Sequence, residues 1–118
     1  MAEKRAQELI LTDVFDHPKY KFSYGENLHY IMPYVKKYSC VKVVKPWYEE
    51  IKDYDFTDWR KSKGKIGHFT QVVWKSTQRV GCAQTYSEKS KRLYTVCNYS
   101  PPGNWINRYE QNVIQPVI

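Results

Sequence analysis

The chain has 118 residues, enough for one hydrophobic core and too few for two. Apolar residues make up 42% and rings are abundant, with eleven Tyr, four Trp and four Phe, so a core built largely on aromatics is expected. The net charge of +7 is spread along the chain, with clusters at Arg60, Lys61, Lys63 and Lys65 and at Lys89, Lys91 and Arg92, but it comes with no helix-turn-helix, zinc-finger or RNA-binding pattern, so nucleic acid is not an expected partner.

In chain order, residues 3–14 read as a helix, because Ala6, Leu9, Ile10 and Val14 recur at helical spacing. It ends before Pro18, since the residue before proline avoids the helical region. The charged start Met1-Ala2-Glu3-Lys4-Arg5 lacks the apolar stretch of a signal peptide, which leaves an intracellular chain or one whose leader has been cut away. Residues 19–34, with Gly25 and Pro33, read as irregular. Residues 35–53 read as a second helix whose stripe is Cys40, Val44, Trp47, Ile51 and Tyr54. Pro46 is awkward there, so either the regular part starts near Val43 or the helix is kinked.

Residues 57–67 are polar and basic, a loop. Residues 79–86 and 92–99 are rich in Val, Tyr and Thr and flank the polar break Ser87-Glu88-Lys89-Ser90-Lys91, a hairpin signal. Pro101-Pro102-Gly103-Asn104 closes the second strand, and the last fourteen residues read as an extended tail. Helices with an antiparallel hairpin make an α+β domain. Cys82 lies early in one strand and Cys97 late in the next, so the two could face each other. The odd cysteine count leaves at least one thiol over, and Cys40 falls on the apolar stripe, a poor place for a nucleophile.

Four polar residues stand out. Glu50 shares a helical face with Trp47 and Tyr54, where a carboxylate is costly without partners; a rim position bonded to a lysine would also accommodate it. Glu26 lies between apolar neighbours, His17 closes the first helix, and His68 precedes the apolar run from Phe69 to Trp74. Converged, two imidazoles and two carboxylates suit zinc or another divalent cation, or general acid and base work. No G-x-S-x-G elbow, H-E-x-x-H, phosphate loop or dinucleotide fingerprint occurs.

Gly67-His68-Phe69-Thr70-Gln71-Val72-Val73-Trp74, continuing to Gly81-Cys82, resembles the first signature of the CAP superfamily of cysteine-rich secretory, antigen-five and pathogenesis-related proteins. Tyr94-Thr95-Val96-Cys97-Asn98-Tyr99-Ser100-Pro101-Pro102-Gly103-Asn104-Trp105 resembles the second. Gly25-Glu26-Asn27-Leu28 and Trp47-Tyr48-Glu49-Glu50 match two further motifs in the expected order. The resemblance implies one CAP domain over residues 1–118, an α-β-α sandwich around a central antiparallel sheet. It implies a short helix through Thr70 to Trp74 and a Cys82–Cys97 disulfide. It implies a cleft in which His17 and His68 hold zinc or another divalent cation, with Glu26 and Glu50 nearby.

The resemblance implies that the family's usual first helix is missing from this chain, so an apolar face is expected to be open, a second copy is one way to cover it, and Cys40 is expected to have lost its partner. The implied function is a secreted binding protein in defence, venom or host interaction, with a protein receptor or a sterol or other lipid as partner. Tyr54, Phe56 and Trp59 resemble the aromatic sterol-binding loop of some members, although the same rings would also complete a core. A metal-dependent peptidase or esterase using Glu50 and His68 is the alternative, without an obvious nucleophile. Peripheral attachment to an intracellular membrane is a third reading, against which Cys82 and Cys97 argue.

Overall fold

The computed structural model describes residues 2–12, 17, 24–32 and 39–116. Its elements are α1 (Ala2–Thr12), β1 (Gly25–Ile31), α2 (Cys40–Glu49), α3 (Gly67–Val73), β2 (Arg79–Tyr86), β3 (Leu93–Ser100) and α4 (Tyr109–Asn112). Short 3-10 turns occupy Glu50–Asp53 and Trp59–Lys61.

The sheet has the order β1-β3-β2, with both pairings antiparallel. Strand β3 is therefore flanked on both sides, and Leu93 through Tyr99 are all buried. Alternation sends its side chains to two faces. On one face Tyr94 and Val96 pack with Leu28 against Ala2, Ala6 and Leu9 of α1. On the other, Cys97 and Tyr99 pack against Val43 and Trp47 of α2. This is the α-β-α sandwich. Leu9 is fully buried, a stabilisation of about 1.5–3 kcal/mol from one side chain.

A third cluster lies away from the sheet, where Tyr54, Phe69, Trp74, Tyr109 and Val113 are buried together. Tyr109 stacks on Trp59 at 4.5 Å and meets Trp74 edge-on at 5.2 Å. Ring packing of this kind replaces the aliphatic volume that the chain lacks.

Four sequence expectations change. Residues 25–31 form strand β1, although 19–34 read as irregular. Gly, Glu and Asn disfavour strands, yet here Glu26 and Asn27 have partners inside the fold that a propensity reading cannot see. Helix α2 is regular from Cys40, capped by the Ser39 hydroxyl accepting from the Val41 amide at 3.2 Å, and it runs through Pro46 instead of starting near Val43. Its buried residues are Val43 and Trp47; Cys40 lies on the same face but in the first turn of the helix, beyond the packed part, and is exposed. The tail is not simply extended, because α4 forms at Tyr109 to seat that ring. The ends of both expected helices, at residues 13–14 and 35–38, lie outside the described residues.

Residues 79–82 of the edge strand β2 are exposed, with Val80 at 60%. Cys82 stands directly opposite Cys97, with Cα atoms 4.1 Å apart, and the two are disulfide-bonded across 15 residues. A loop of that length corresponds to roughly 3 kcal/mol of stabilisation. Peptide mapping without reduction is expected to return the Cys82–Cys97 pair, while a thiol reagent labels Cys40 in the native protein. Cys82→Ala/Cys97→Ala should lose roughly 3 kcal/mol in urea unfolding. A bridge involving Cys40 would contradict this arrangement.

Candidate functional site

Glu26 is the first residue to account for, because its side chain is 0% exposed. It is the second residue of β1, opposite Asn98 of β3. Arg5 of α1 reaches it with Nε 2.9 Å from Oε1. His17 places Nδ1 2.8 Å from Oε2, so that ring nitrogen donates to the carboxylate. The Asn98 amide adds a long contact at 3.4 Å. A carboxylate taken out of water this completely is tolerated only with such partners.

Glu50 follows α2 directly and uses both oxygens. Oε2 accepts from His68 Nδ1 at 2.8 Å, and Oε1 accepts from the Phe69 amide at 3.0 Å. The carboxylate thus fixes the first turn of α3 and the plane of its histidine together. Trp47 completes the seat, its indole stacking on the His68 ring with 5.8 Å between centroids and 10° between planes. Asn27, 2% exposed, donates to the His68 carbonyl and to the Tyr99 hydroxyl, each at 3.2 Å.

His17, Glu26 and His68 line one cleft of about 320 Å³, together with Asn27, Lys65 and Asn104. Glu50 stands behind His68 and orients it. The four residues singled out by sequence therefore meet as two carboxylate–imidazole pairs. Among the described residues, no three His, Cys, Asp or Glu side chains form a ready-made metal cage. Nδ1 of each histidine lies against a carboxylate oxygen, and in the neutral ring donation from Nδ1–H leaves Nε2 as the lone-pair nitrogen.

Two neighbours have shifted proton affinities. Burial pushes the Tyr99 hydroxyl up to about 12, partly opposed by its bond from Asn27. His29, edge-on to Trp47 at 6.5 Å, is held below its ordinary value by burial and then by the charge of His68.

The far wall rests on Gln71, which is 2% exposed. Its carboxamide oxygen accepts from the Gly103 amide at 2.9 Å, and its nitrogen donates to the Thr77 hydroxyl at 3.1 Å. A Cβ on Gly25 would collide with that carboxamide, and one on Gly103 would come within 2.8 Å of Trp74. Asn104, at a left-handed φ of 59°, donates to the Gly67 carbonyl at 2.9 Å and accepts from the Thr70 hydroxyl at 2.6 Å.

The aromatic loop sits elsewhere. Tyr54 is 8% exposed, and Phe56 and Trp59 pack against the same cluster. Tyr54 and Phe56 border a separate hollow of about 440 Å³ whose other walls include Lys52, Lys61 and Lys63.

Arg5 was missed by the sequence reading, though a signal existed. It shares the α1 face of Ala2, Ala6 and Leu9, where an arginine needs a buried anion.

These motifs belong to a known class. The sequence model of the CAP cysteine-rich secretory protein family matches residues 1–99, and the chain belongs to that family. It is 36% identical over 92 residues to venom allergen 5 of Polistes gallicus, covering 75% of this chain and 45% of that protein. It is 40% identical over 94 residues to human cysteine-rich secretory protein 3, covering 74% of this chain and 37% of that one. The chain thus spans less than half the length of either relative. The fold is similar to a crystal structure of NaASP2 with Zn2+, with a TM-score of 0.60 and 26% identity, covering 88% of this chain and 58% of that one.

Removing the cation of the buried pair gives a direct check. Arg5→Gln should cost about 3–5 kcal/mol in urea unfolding, and Glu26→Gln in that background should recover part of the loss. A loss under about 1 kcal/mol would mean that the carboxylate is held by other groups.

Proposed function

We propose that this CAP domain is an extracellular binding module whose cleft holds a divalent cation, zinc foremost, through Nε2 of His17 and His68. The supporting observation is that each imidazole lining the cleft has its Nδ1 2.8 Å from a carboxylate oxygen. A histidine that donates one ring nitrogen to a carboxylate offers the other as a more basic, oriented ligand. Two imidazoles leave the remaining positions to water or a bound ligand, which is an open site. A cation there would act as a Lewis acid toward an oxygen of that ligand. The crystal structure of the similar NaASP2 with Zn2+ is in keeping with this reading.

The extracellular assignment draws on the venom and secretory names of the relatives and on the disulfide, a bond that persists in oxidising compartments. Binding is favoured over hydrolysis because both oxygens of Glu50 are engaged in holding His68 and α3. It therefore serves as a positioning carboxylate. A sterol or other lipid at Tyr54, Phe56 and Trp59 would have to compete with the packing of those rings into the core.

Zinc titration by calorimetry tests the proposal. The wild-type protein should bind one equivalent, His17→Gln/His68→Gln should fall to background, and Glu50→Gln should weaken binding about 10–100-fold. Circular dichroism establishes that each variant is folded. Equal affinity in the wild type and the double histidine variant would overturn the proposal.

A further inference from the structure

The cleft carries polar groups that a cation held by the two histidines leaves unused. Asn27 is buried and lines the cleft. Both hydrogens of its carboxamide are spent, one on the His68 carbonyl and one on the Tyr99 hydroxyl. Its Oδ1 accepts from no group among the described residues and is not sealed from solvent, so it is an acceptor open to the cleft. The carboxamide cannot turn away without breaking both of its other bonds.

Two donors lie on the same surface. Lys65 lines the cleft, is exposed, and forms no ion pair among the described residues. Asn104 accepts from Thr70 and gives one amide hydrogen to the Gly67 carbonyl, which leaves its second hydrogen without a partner among the described residues. The carboxylates close by are already matched. Glu26 has no exposed surface and faces Arg5, and both oxygens of Glu50 are engaged behind the cleft. The ammonium of Lys65 is therefore the charge that a ligand would meet.

Gly67 lies between these groups and has no packing reason to be glycine. Gly25 and Gly103 are forced by close neighbours, but a Cβ on Gly67 would meet only Asn104 Nδ2, at 3.8 Å, an ordinary contact. Its φ is not left-handed. The missing side chain widens the cleft at that point, and the whole volume of about 320 Å³ is at the small end for ligand pockets.

We infer that the cleft takes an N-acylated α-amino acid, free or as the C-terminal residue of a peptide, with its carboxylate facing Lys65 and Asn104 and its amide N–H donating to Asn27 Oδ1. A carboxylate is the anion that an ammonium and an amide hydrogen hold together through charge-assisted bonds. A buried acceptor discriminates for a ligand that brings a donor, because a ligand without one leaves it unpaired. The inference rests on the reading of the cleft as a binding site and not on the cation.

Titrations of the whole chain followed by NMR, without metal, test it. N-acetylalanine should shift the signals of Gly67, His68 and Asn104 saturably. N-acetylalaninamide, which lacks the carboxylate, and propionate, which lacks the N–H, should each bind about three- to tenfold less tightly. Acetyl-tetraalanine separates the two sources: binding at least as tight as N-acetylalanine assigns the site to peptide ends, and weaker binding assigns it to free acylated amino acids. Lys65→Gln should weaken N-acetylalanine about three- to tenfold and leave N-acetylalaninamide unchanged, a selective loss that a structural lysine would not produce. Gly67→Ala should weaken both probes. Circular dichroism confirms folding of the variants. Equal affinity for the acid and its amide, equal losses for the two in Lys65→Gln, or no saturable shift in the cleft would overturn the inference. A cleft that binds zinc but not N-acetylalanine would leave the cation reading standing, and N-acetylalanine bound without any affinity for zinc would do the reverse.

Discussion

A carboxylate with no exposed surface sets the terms for the rest of this molecule. Glu26 lies on the inner face of β1, and an ion in that position is stable only where cations and donors are brought to it. Arg5 comes from α1, His17 from the segment between α1 and β1, and Asn98 from the central strand. The helix that covers one face of the sheet is thereby tied electrostatically to the strand that edges the cleft. Meeting the charge of Glu26 also places an imidazole at the cleft mouth, so folding and site assembly are one process here.

The second imidazole is seated by different means. Glu50 spans from the end of α2 to the start of α3, and Trp47, one turn earlier on α2, lies flat against His68. Behind them Gln71 joins segments far apart in sequence. It fills the space that Gly25 leaves open, holds the amide of Gly103, and sits one residue after Thr70, which fixes Asn104. The four motifs in the sequence are thus parts of one contact network. Several of their conspicuous residues, the two glycines above all, are explained by close approach to Gln71 and not by contact with any ligand.

Much of this was legible from residues alone, and the failures have physical causes. The β2–β3 hairpin was legible because two segments rich in Val, Tyr and Thr flank a polar break, and both strands lie where that pattern placed them. Strand β1 was not, because Gly25-Glu26-Asn27 carries turn chemistry, and only the tertiary partners of Glu26 and Asn27 allow it to be extended. Helix α2 was legible as a helix with Trp47 on its buried stripe, but the exposure of Cys40 was not, because Cys40 lies on that stripe in the first turn and periodicity does not say how far along a helix the packing extends. Glu26, Glu50, His17 and His68 were singled out as out of place, and the motifs gave them a common site. Their division into two pairs, and the part played by Arg5, depended on distances between elements that periodicity does not encode.

The central claim is that the two carboxylates fix both histidines in one tautomer, with the proton on Nδ1 and the lone pair of Nε2 left for a ligand. Long-range proton–nitrogen correlation spectra of the imidazole rings, recorded without metal at about pH 8, read this directly. The arrangement predicts Nδ1–H for His17 and for His68. An Nε2–H tautomer at either residue, or the mixed population of a free imidazole, would contradict it.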